Sequence, residues 1–197
     1  MKRAAFGVQM HSGWGVLVAI AGDPKALEVA ARCRIVTADP ETPGATQPYH
    51  FAAQLERVQQ QAHLSKCAES SSNLTVNAIG NILQELNQHS YKVVGAAVLF
   101  AAGRSLPELE KILAAHPLIH TAEGQFFRQT TCRAFADLGI PVTAIREREL
   151  EQQAKAAFGK ASVRVQAAIS NLGARLGPPW TKDHKTAALA AALILCR

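Results

Sequence analysis

The chain has 197 residues, enough for one domain with a sizeable core and short for two. Hydrophobic residues make up 48% and charged residues 18%, a globular composition that excludes a disordered chain. No apolar run approaches the roughly 18 residues that a membrane span needs, so no membrane association is expected. The net charge of +6 is compatible with a nucleic acid or other polyanion partner, but Lys and Arg are scattered rather than clustered.

At the start of the chain, polar Gln9 and His11 cut the apolar stretch too short for a signal peptide, and a cytoplasmic location is expected. Cys33, Cys67, Cys132 and Cys196 lie far apart with no Cys-x-x-Cys pair, which argues against a zinc knuckle or a redox motif. Their apolar neighbours suggest reduced, buried thiols.

Ala5 to His11 and Trp14 to Ala21 are apolar runs separated by the Ser12-Gly13 turn. Leu27 to Thr37 mixes Val, Ile and Cys with Arg32 and Arg34, as a strand with one wet face would. Together they predict an antiparallel meander. After the Asp39 to Gly44 loop, Tyr49 to Asn87 turns helical, with Phe51, Leu55, Val58 and Ala62 near the 3.6 period. Ser70-Ser71-Ser72-Asn73 predicts either two helices or one long helix broken near the serines.

Lys92 to Phe100 is a continuous apolar run, suited to a central strand buried on both faces. Ser105, with Glu108 three residues on, predicts a capped helix running to Ala115. A further helix is expected from Thr121 to Leu138, and Pro141 to Arg146 is a short fifth strand. Helices are predicted over Glu147 to Ala157 and Ser162 to Leu176, and a last one begins after Pro178-Pro179-Trp180 with Thr181 as its cap. Three meander strands followed by alternating helices and strands predict a single α/β domain. Its five-stranded sheet should be mixed, with helices on both faces.

That order is the ribonuclease-H-like topology. Phe6-Gly7-Val8-Gln9-Met10-His11-Ser12-Gly13-Trp14-Gly15-Val16 resembles the first hairpin of the RuvC-type Holliday-junction resolvases, a Gly-Ile-Asp strand with an aromatic-Gly-Val return. Lys182-Asp183-His184-Lys185-Thr186-Ala187 resembles the start of their last helix. The resemblance implies two magnesium ions held by carboxylates from the first strand, the fourth strand and the last helix, and it implies a homodimer. In this sequence Gln9 stands where the first-strand Asp belongs, Val93 to Phe100 contains no acid, and Thr186 replaces a last-helix carboxylate, leaving Asp183. The expectation is a catalytically degenerate member of the group, because two-metal chemistry needs several hard oxygen ligands.

Two polar clusters remain. One runs from His116 to Arg128 and offers His120, Glu123 and Arg128; the other runs from Gly177 to Lys185 and offers Trp180, Asp183 and Lys185. The plainer reading makes Thr121 a cap, Glu123 a partner of the helix dipole, Arg128 solvated and Trp180 a packed plug. The functional reading places His11, His120, Glu123, Trp180, Asp183 and Lys185 in one cleft outside the carboxyl ends of the strands. A transition-metal site built from His11, His120, His184, Glu123 and Asp183 has no local ligand spacing in its favour.

Three functions stay open. The chain could be a degenerate domain that binds a partner or polyanion, or an enzyme with a rebuilt site. In the rebuilt site, Glu123 with His120, or Asp183, would be the catalytic groups, acting on a small or phosphorylated substrate. The third is a residual nuclease, and only there is a Mg or Mn cofactor expected.

Overall fold

The computed structural model describes residues 1–101 and 105–196. Five strands, β1 (Lys2–His11), β2 (Trp14–Ala21), β3 (Glu28–Val36), β4 (Tyr91–Phe100) and β5 (Val142–Arg146), form one sheet in the order β3-β2-β1-β4-β5. The meander pairs antiparallel, while β4 joins β1, and β5 joins β4, in parallel. This is the mixed α/β arrangement that the sequence predicts. β1 starts three residues earlier than its apolar run, because Lys2 to Ala4 pair with Tyr91 to Val93 of β4.

Side chains alternate across a strand, so β1 feeds two cores. Phe6, Val8 and Met10 face α2 (Arg57–Gln88) and α4 (His116–Asp137). Ala5 and Gly7 face α7 (Lys182–Leu195), which packs with α5 (Leu150–Phe158) and α6 (Ser162–Leu176) on the other side. The same alternation puts Gln9 and His11 on the α7 face, at the carboxyl end of the strand. α7 can lie close because its buried surface is mostly alanine: Ala187, Ala188, Ala190, Ala191 and Ala192. Among the described residues, no helix is long and apolar enough to cross a membrane.

Several helix boundaries differ from expectation. A five-residue α1 (Pro48–Ala52) precedes α2, and the chain breaks between them rather than at the serines. Ser71 is buried against α4, its hydroxyl 3.4 Å from Thr130 Oγ1, and Thr75 donates to the Ser71 carbonyl at 2.6 Å. Small hydroxyl side chains satisfied this way suit a close helix contact, so the helix continues through them. α3 is only Leu109–Leu113, and Ser105 lies outside it and does not cap it. α4 begins at His116, where Pro117 suits a first helical turn. Thr121 is therefore inside the helix, donating to the Pro117 carbonyl at 2.9 Å. The segment from Glu147 opens with a 3-10 turn before α5.

All four cysteines are free. Cys67 is buried and Cys33 and Cys132 are partly so, whereas Cys196 is exposed, contrary to expectation. Burial pushes the thiols of Cys33 and Cys132 up to about 11, which keeps them protonated and unreactive.

Candidate functional site

The parallel strands end beside the start of α7, and a cleft of about 690 Å³ opens there. It is lined by Glu147 and Arg148 after β5, Glu151 of α5, Gln166 of α6, and Lys182 and Lys185 of α7. Gln9 comes to its edge from the strand: its side-chain amide donates to Glu147 Oε2 at 3.5 Å. Gln9 is 7% exposed, and its Oε1 is buried with no hydrogen-bond partner among the described residues. His11 Nε2 lies 3.0 Å from Asp183 Oδ2. The His11 ring stacks on Trp14 at 4.3 Å, and the Arg34 guanidinium sits 4.2 Å from the Trp14 ring centre.

Arg128 reaches this region from the opposite layer. Its Nε donates to the Leu99 carbonyl near the end of β4 at 3.0 Å, and its Nη1 donates to the Gly124 carbonyl at 2.6 Å. Burial pushes the guanidinium below its ordinary value and the Glu147 carboxylate opposes that shift. Arg128 is therefore a half-buried, positioned cation rather than a solvated one.

The approach to α7 is fixed from outside the cleft. Arg32 of β3 donates to the carbonyls of Leu176, Gly177 and Pro179, each at 2.8 Å. Trp180 lies against Gly173, where an added Cβ would come 2.5 Å from the ring. The indole N–H donates to the Ile169 carbonyl at 2.9 Å. The polar edge of Trp180 is thus held by α6, in the packing role of the plainer reading.

Thr181 caps α7 as expected. Its backbone N–H donates to His184 Nδ1 at 3.3 Å, and its hydroxyl lies 2.8 Å from the same nitrogen. His184 is buried. Burial, with Arg32 nearby, holds its imidazole below the ordinary value, while Asp183 pulls the other way. An unfolded chain, with a His near pH 6.5, then takes up this proton before the folded one does. The His184 contribution is complete above about pH 6.5 and is lost as pH falls through the lower folded value. Melting temperatures between pH 8 and 5 should fall more steeply for the native chain than for His184→Asn, and equal slopes would contradict this.

His120 and Glu123 belong to a second cluster. Glu123 is 3% exposed and lies two turns into α4, so it does not act as a dipole partner in the first turn. It accepts the His50 backbone N–H at 3.1 Å, and its Oε2 lies 2.9 Å from His50 Nδ1, off the line of a well-directed hydrogen bond. The rings of His50, His116 and His120 meet edge to face, with centroids 4.4 to 5.3 Å apart. One nitrogen from each can be chosen so that all three lie within 4.8 Å of one another.

The structure therefore brings His11 to Asp183 and sets Lys185 in the cleft, while Glu123 meets His50 and the His120 ring meets His50 edge to face. No hydrogen bond or ion pair among the described residues links Glu123 to Asp183. Sequence reading missed Glu147, His50 and His116. A signal existed for one of them, since His116 and His120 stand at the His-x-x-x-His spacing of helical metal ligands.

A five-stranded sheet in this order, with the last helix over its first strand, defines a ribonuclease-H-like fold, and the solved structures agree. RuvC from Thermus thermophilus matches with a TM-score of 0.52 at 12% identity, covering 96% of this chain and 91% of that one. The same protein in complex with a Holliday junction substrate matches with a TM-score of 0.50 at 14% identity, covering 98% and 91%. At these identities the likeness shows the fold alone. No known family matches the sequence, and no curated protein matches it.

Proposed function

We propose that this chain is a ribonuclease-H-like domain that binds nucleic acid across the cleft at the carboxyl end of its sheet, without two-metal cleavage. The observation that carries this reading is the make-up of that cleft. Lys182, Lys185 and Arg148 line it together with Glu147 and Glu151, Arg128 lies behind it, and across the sheet Arg34 sits over Trp14, which stacks on His11. Cations with an aromatic ring suit a phosphate backbone and its bases.

A pair of Mg²⁺ ions does not suit the same place. Gln9 offers a neutral amide in place of a carboxylate, and that amide is turned to Glu147. Asp183 already faces His11, and β4 carries no acid between Tyr91 and Phe100. Glu147 and Glu151 in the cleft and Asp183 beside it, set among several cations and with no carboxylate on β1 or β4, make a poor clamp for two hard dications. The fold match to a RuvC seen on a Holliday junction supports the choice of nucleic acid over other polyanions only loosely.

The test is fluorescence anisotropy with duplex and four-way junction DNA across a salt series. Affinity should fall steeply and linearly on a log–log plot between 50 and 200 mM salt, with a slope of about −0.9 per phosphate contacted. Affinity that ignores salt, or no binding at 50 mM, would overturn the reading.

A further inference from the structure

We propose that His50, His116 and His120 form a binding site for one borderline divalent transition metal, Zn²⁺ first among them, separate from the cleft and independent of the reading above. His116 and His120 are one helical turn apart on the first two turns of α4, and α1 brings His50 against both. All three offer imidazole nitrogen, a donor set for zinc, copper or nickel rather than for Mg²⁺ or Ca²⁺. Arg128, eight residues beyond His120, already touches the end of β4, so the cluster stands roughly 12 Å up the helix from there.

The distances are within reach of coordination. Zn–N bonds of about 2.0–2.1 Å in a tetrahedron put the nitrogens about 3.3 Å apart. The three ring nitrogens now lie within 4.8 Å of one another. His116 and His120 are exposed, so small side-chain rotations close that gap without moving the core. Three imidazoles leave a fourth position open to water or to a ligand, as in zinc sites that do chemistry.

Glu123 makes the cluster more than three neighbouring rings. It is a buried carboxylate whose neighbours are the His50 backbone N–H and the Nδ1 side of the His50 ring. A carboxylate behind a ligating imidazole fixes the ring, selects Nε2 as the ligand atom and raises its basicity. One carboxylate oxygen satisfies the first-turn His50 N–H of α1, and the other, beside Nδ1, is placed to orient the ring toward a metal on the far side of His50.

The experiment uses tag-free full-length protein, titrated with Zn²⁺ against a chromophoric chelator and, in parallel, with Co²⁺ followed by its visible absorption. One ion per chain with micromolar or tighter affinity is expected, together with Co²⁺ bands of four-coordinate intensity. His116→Ala and His120→Ala should each weaken binding at least about tenfold, and Glu123→Gln by about 10- to 100-fold. The two histidines are exposed, so their variants should melt like the native apoprotein. Binding weaker than about 100 µM would overturn the proposal, as would stoichiometric binding that survives the His116→Ala/His120→Ala double change.

Discussion

Gly7→Ala should abolish or nearly abolish the cooperative fold, with a loss of at least about 3 kcal/mol. A Cβ at Gly7 would collide with the carbonyl oxygen of Ala187 and would stand 2.8 Å from its carbonyl carbon and 2.9 Å from the backbone nitrogen of Ala191. All of these are backbone atoms of α7, so no flexible side chain can move aside. The helix would have to lift off β1, opening the alanine-lined core beneath it and moving Asp183 away from His11. Gly80→Ala is the matched control. It sits inside α2 with nothing within 4 Å of an added Cβ, and helix propensity favours alanine by about 0.8–1 kcal/mol. Thermal melts followed by circular dichroism should therefore move in opposite directions for the two variants. Similar melting for Gly7→Ala and the native chain would show that α7 does not pack on β1 this closely.

Reversing two charges should have the largest effect on binding. Lys182 and Lys185 are both exposed and both line the cleft, on one turn of α7. Lys182→Glu with Lys185→Glu should weaken DNA binding by roughly a hundredfold near 0.1 M salt and flatten the salt slope by about two. The double variant should melt close to the native chain, because neither lysine makes an ion pair among the described residues or supports the core, and the new acids fall in the first turn, where the helix dipole favours them. An unchanged slope would move the binding surface away from this cleft.

Much of the fold was legible in the sequence because its signals are local. Val93 to Phe100 reads as a buried strand whatever surrounds it, and the Gly13 and Gly22 turns delimit β2 without reference to the rest of the chain. Boundaries that depend on a partner were not legible. Ser71 looks like a helix breaker until Thr130 of α4 is set against it. Thr121 resembled a cap because its hydroxyl could have served as one, yet α4 starts at His116, five residues earlier, with Pro117 in its first turn.

The site follows the same division. Asp183 and Lys185 were singled out through their place on the last helix, and Gln9 through the resemblance of its strand to a resolvase hairpin. Glu147 was missed because it meets Gln9 only once β5 lies two strands from β1 in the sheet. His50 was missed because only the packing of α1 on α4 joins it to the His116–His120 pair.

The most direct test of a cleft that binds without two-metal cleavage is one gel. Four-way junction, duplex and single-stranded DNA would be incubated with the protein and Mn²⁺ or Mg²⁺, beside Asp183→Asn. Intact DNA that is retarded at low salt, alike for both proteins, is the expected result. Cleavage by the native chain that disappears in Asp183→Asn would contradict it and would place a working metal site at the end of β1.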